Sequence, residues 1–100
     1  MTMIAKPRDL LDEAEATIRF LGFCGGSQAL GELLMALADP GRCLRLDRLQ
    51  GMLDTENTRL AVRLFDEYLS RRRSCDEWLA LGETARRVAL PEEKFSWECD

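Results

Sequence analysis

Apolar residues recur in this chain every three or four positions, in successive runs that end at glycine, proline or a capping residue. That period is the helical one, and the two-residue alternation of a half-buried strand is almost absent. In the first run Leu10, Leu11, Ala14, Ile18 and Leu21 share a face. Pro7 stands where a first helical residue can spare its N–H, Asp9, Asp12 and Glu13 suit the positive end of the helix dipole, and Gly22 is a natural stop. After the loop "FCGGS", Ser27 is placed to cap a second helix with Leu30, Leu33, Leu34 and Leu37 inward, and "DPG" at 39–41 ends it. Within "CLRLDRLQGML", Cys43, Leu44 and Leu46 alternate as a strand would, whereas Leu46, Leu49, Met52 and Leu53 fit a short helix. A lone strand has no partner here, so helix is expected.

Asp54 or Thr55 then caps a long helix with Leu60, Leu64, Phe65, Tyr68 and Leu69 inward, and Arg71, Arg72 and Arg73 close it at its negative end. "SCDE" at 74–77 is a capping box, Ser74 with Glu77, opening a last helix that buries Trp78, Leu79, Gly82, Ala85 and Val88 before Pro91. The triple arginine thus reads as a joint between helices, with contact to phosphate or to an acidic partner as the alternative. The tail "PEEKFSWECD" brings Phe95 and Trp97, which give it something to pack onto the helices or to dock on a partner. With one hundred residues, 46% of them hydrophobic, residues 1–100 form one small domain. The expected fold is all-α, a compact bundle of four to five short helices with an ordered C-terminal tail.

Four cysteines, Cys24, Cys43, Cys75 and Cys99, are scattered without a C-x-x-C pair, and there is no histidine. Zinc sites and disulfide frameworks draw on closer spacing, so free and mostly buried thiols are expected, with no metal and no cofactor. The glycines of "GFCGGSQALG" precede a helix but lack the G-x-x-x-x-G-K-[ST] order and its lysine, so a helix-to-helix loop is the better account than a nucleotide site. Carboxylates alone, placed in first helical turns or opposite arginines (Arg63 with Asp66 or Glu67, Glu67 with Arg71), do not suggest an enzyme. No run approaches the roughly 20 apolar residues that span a bilayer, and the opening "MTMIAKPRDLLDE" has no signal-peptide core, so a bacterial cytoplasm is expected.

Charge divides the chain. Residues 1–41 hold six acids and three bases, 42–73 five and eight, and 74–100 seven and three, for a net charge of -4. Such a field opposes nonspecific nucleic-acid binding and favours a basic partner. On the second helix Gln28, Glu32, Met35 and Asp39 lie opposite the leucine face, which would set two acids around an exposed methionine. Asp12 and Glu13 lie near them if the first two helices pack antiparallel.

The stretch "ALADPGRCLRLDRL", 36–49, resembles the opening of winged-helix regulators of the arsenic-repressor family, which read "ALADPTRLRIL" there. The resemblance implies a recognition helix over 55–70 displaying Arg59 and Arg63. It covers about fourteen residues, and no β-wing pattern follows. In size, acidity and preference for arginine over lysine the whole chain resembles small helical accessory proteins of phages and mobile elements, among them anti-CRISPR inhibitors. That resemblance implies a non-enzymatic inhibitor that occupies the basic nucleic-acid-binding surface of a host protein or ribonucleoprotein, without binding DNA itself and without a membrane. The alternatives are an antiactivator of a bacterial transcription factor and a small helix-turn-helix regulator. The residues expected at the partner are Asp12, Glu13, Glu32, Met35, Asp39, Arg71, Arg72, Arg73, Phe95 and Trp97.

Overall fold

Capping chemistry sets where the helices begin. In the computed structural model, described over residues 9–22 and 24–98, the order is α1 (Leu10–Leu21), α2 (Gly25–Ala38), α3 (Leu46–Leu49), α4 (Thr55–Leu69) and α5 (Cys75–Ala89), with no strand among the described residues. The all-α expectation holds. The segment read as strand or helix forms a single helical turn, α3. Pro7 lies outside the described residues, and α1 starts at Leu10 after Asp9, whose side chain makes no cap bond.

Ser27 does not cap α2. The helix begins three residues earlier than that assignment requires: Cys24 is the N-cap, its Sγ accepting from the Ser27 N–H, while Ser27 Oγ accepts from the Cys24 N–H at 2.9 Å. A serine at the third helical position can reach back in this way because its hydroxyl both donates and accepts. Asp54 caps α4 by accepting from Asn57 N–H at 2.8 Å, and the Ser74–Glu77 capping box opens α5.

The core gathers around α2. Leu30, Leu33, Leu34 and Leu37 are buried with Leu11, Ala14 and Ile18 of α1, Leu60 and Leu64 of α4, and Trp78, Leu81 and Ala85 of α5. The closest helix pair is α2 with α5, and Gly82 explains it: a Cβ there would stand 2.5 Å from the Ala38 Cβ and 3.2 Å from the Leu34 carbonyl oxygen. α1 packs on both, while α4 packs on α1 and α2, and Tyr68 meets the Trp78 ring edge-on at 5.6 Å.

Several expectations about burial are overturned; on α5, Leu79 and Val88 are only half-buried, and Leu81, Thr84 and Ala89 take the core positions. Leu69 turns outward, because at 100° per residue it lies on the side of α4 opposite Leu60 and Leu64. Cys24, Cys43 and Cys75 are exposed rather than buried, since each sits at a cap, in a loop or in the first turn of a helix. Cys99 lies outside the described residues. Met35 is fully buried, because α2 is covered on more than its leucine face.

Candidate functional site

The acidic stripe expected on α2 does not exist as a surface. Met35 and Asp39 are both at 0% exposure, and Glu32 is mostly covered and ion-paired with Arg48 at 3.5 Å. α5 accounts for Met35: Gly82 brings its backbone against Met35 and Ala38, where a helical wheel of α2 alone shows only solvent. On α1, Glu13 pairs with Arg63 of α4 at 3.0 Å, while Asp12 faces solvent. Arg63 therefore bonds across helices rather than to Asp66 or Glu67 along its own.

Asp39 is the centre of a different construction. Its carboxylate accepts from the Ser96 hydroxyl at 2.6 Å, from the Ser96 N–H, and from the Gly41 N–H at 3.1 Å, the last closing an Asx turn over "DPG". Burial pushes the Asp39 carboxyl up, but these hydrogen bonds, with Arg42 nearby, outweigh it and hold the pKa below the usual range. Gly41 is needed for the approach, since a Cβ there would lie 2.7 Å from Ser96 Oγ. Arg42 adds two further ties, to the Lys94 carbonyl at 2.9 Å and to Glu93 at 2.7 Å.

This latch fixes the tail against the helices. Phe95 is buried, and the Arg86 guanidinium of α5 lies over its ring, 5.8 Å from the centroid. Trp97 stacks on Phe95, with centroids 4.6 Å apart and planes within 7°, and remains 51% exposed. The tail expectation is thus divided: Phe95 packs inward, and Trp97 presents its other face to solvent. Glu98 closes the turn beneath them by accepting from the Phe95 N–H.

The three arginines do not close α4, which ends at Leu69 with Ser70 as C-cap. Arg71 follows in the left-handed region, φ 61°. Arg72 reaches Glu67 at 3.7 Å, and Arg73 bonds Asp9, Glu67 and Glu77, tying the start of α1, the end of α4 and the start of α5. The Arg73 guanidinium holds Asp9 below the usual carboxylate range. Glu77 is lowered chiefly by the Ser74 N–H of the capping box and then by Arg73. The expected pair of Glu67 with Arg71 is replaced by Glu67 with Arg72 and Arg73, because the left-handed turn redirects the chain after Ser70.

Of the residues singled out from the sequence, the structure brings together Asp39, Phe95 and Trp97, and leaves Asp12, Glu32 and the arginine joint elsewhere. Sequence reasoning missed Arg42 and Ser96; the signal available was the Asp-Pro-Gly turn, which marks Asp39 as a turn-bonding side chain rather than a helical surface one. Among the described residues no three Cys, Asp or Glu side chains are placed to hold a metal ion, and no helix is long and apolar enough to cross a membrane. No protein-family model, curated protein or solved structure matches the chain.

Proposed function

We propose that this chain is a non-enzymatic inhibitor that binds a host nucleic-acid-binding complex through its latched tail. The observation that carries the reading is Trp97, half in solvent on a platform of buried Phe95 that Asp39 and Arg42 hold in place. A tryptophan immobilised before contact loses little freedom on binding, and tryptophans are the residues most enriched among those that dominate interface energetics. Acids surround it in sequence, Glu92, Glu93 and Glu98, and the net charge is -4. A basic surface evolved to grip phosphate is the complementary partner, and a multisubunit CRISPR effector is the complex we infer. Asp12, on α1, offers a further exposed acid, whereas Met35 and Asp39 act from within the fold.

The test is a titration of purified effector complex and labelled target DNA with this protein. DNA should be displaced stoichiometrically, and Trp97→Ala should weaken the effect by about 30-fold, the equivalent of about 2 kcal/mol expected of a central anchor. Retention of DNA at saturating protein would remove the effector as target. Direct binding of the free protein to duplex DNA, with a steep salt dependence, would replace the inhibitor by the regulator.

A further inference from the structure

α4 has two apolar faces, and the latched tail uses neither. Leu60, Ala61 and Leu64 point into the core. Thr58, Val62 and Leu69 lie along the outside, with Val62 62% and Leu69 73% exposed, and Phe65, half-buried against the core, completes a stripe spaced four, three and four residues apart. Beside this stripe Leu46 of α3 is 66% exposed, and Leu46, Leu49 and Leu53 form the far wall of an open groove whose near wall is Val62 and Phe65.

The charges along the stripe decide what fits it. Arg59 and Asp66 lie on its other flank, both exposed, and neither has an ion-pair partner among the described residues. Arg63, close by, is already held by Glu13. Arg59 and Asp66 are seven residues apart, about 10 Å along the helix axis, with the cation nearer the N-terminus. A two-fold axis between two antiparallel copies of α4 would place each Arg59 opposite the other copy's Asp66. An axis one residue further along places Val62 of one copy against Phe65 of the other and each Leu69 against the opposing Thr58, and it offsets Arg59 from the other copy's Asp66 by only two residues, about 3 Å, which their side chains can span. A parallel two-fold would instead set the two charged flanks on opposite sides of the seam, where neither Arg59 nor Asp66 meets its counterpart.

We propose that the chain forms a symmetric homodimer through antiparallel packing of α4 on α4, with Val62 and Phe65 at its centre, Leu69 at each end and reciprocal Arg59–Asp66 ion pairs at its edge. The tail lies outside this surface, so each dimer presents two latched tryptophans.

Sedimentation equilibrium of the full chain tests this, with circular dichroism and a melting curve to show that each variant is folded. The wild type should pass with concentration from the 11.4 kDa chain to twice that mass. Arg59→Glu and Asp66→Arg should each weaken self-association at least about tenfold, because each sets like charges across the axis. The double reversal should restore it. Mixing the two single variants should yield a heterodimer, since each reversed position then faces its complement. A wild type that stays monomeric at millimolar concentration overturns the dimer. Dimerisation unaffected by either single reversal overturns the antiparallel register, and so does failure of the mixed pair.

Discussion

Asp39 shows how one side chain can be read correctly for chemistry and wrongly for place. A helical wheel sets it with Gln28, Glu32 and Met35, away from the leucines, and nothing in the sequence announces that residues 93–96 return to cover it. The buried carboxylate is stable there only because Ser96 and Gly41 direct their donors at it. Removing it by Asp39→Ala should cost about 1.5–3 kcal/mol, the usual worth of hydrogen bonds to a charged group, measured by urea unfolding. The pH dependence follows from the lowered pKa. A carboxyl whose folded pKa lies below its unfolded value, about 3.9, contributes its stability fully above that value and loses it as pH falls through the folded pKa. Acid below about pH 4 should therefore loosen the latch. Trp97 reports it, since Trp78 is buried and only Trp97 meets a soluble quencher. Iodide quenching should rise on acidification in the wild type, and in Asp39→Asn it should start high and change little. A flat wild-type profile with a low starting value would show that Asp39 does not hold the tail.

At the scale of the helices, boundaries were legible where a capping side chain, a glycine or a proline marked them: Gly22, the Asp-Pro-Gly turn and Pro91 end α1, α2 and α5 as expected. Asp54 and the Ser74–Glu77 box carry their signal in side chains, and both cap as their residue types require. The end of α4 carries no such signal: the left-handed residue that turns the chain is Arg71, where glycine is the usual choice, so the sequence puts the three arginines at the close of the helix rather than beyond it. Arg71→Gly should accordingly stabilise the protein by about 0.5–1 kcal/mol, the relief of the left-handed strain exceeding the extra entropy glycine gives the unfolded chain. Arg73 is the opposite case. Its guanidinium reaches Asp9, Glu67 and Glu77 at once, a planar fork that a lysine ammonium cannot reproduce. Arg73→Lys should lower stability by about 1–2 kcal/mol despite keeping the charge. Chemical denaturation of the two variants side by side gives opposite signs if the joint works this way. Equal and negligible shifts would mean the arginines are ordinary solvated charges.

For the whole molecule, the 3.6-residue period was enough to give an all-α bundle, because each run of leucines needs another to cover it. What the period could not show is which helix lies in the middle. α2 buries Ala29, Gly31 and Met35 as well as its leucines, and a helix apolar on nearly every side belongs at the centre of a bundle rather than at its edge. Its closest neighbour is chosen by an absent side chain, Gly82, whose place in the middle of α5 otherwise only weakens a helix. Propensity alone predicts that Gly82→Ala stabilises α5 by about 1 kcal/mol. Packing predicts the reverse. The added methyl would meet the Ala38 Cβ at 2.5 Å, and neither that methyl nor the Leu34 carbonyl is the movable end of a flexible chain, so α5 must shift off α2. We expect a net loss of about 1–3 kcal/mol, with Gly82→Val worse. Because Met35, Ala38 and Asp39 lie on the same side of α2, the shift should also disturb the latch. Loss of helix content and a rise in Trp97 quenching should therefore coincide in one thermal transition at lower temperature. A stabilised Gly82→Ala variant would place the α2–α5 contact farther apart than this packing requires.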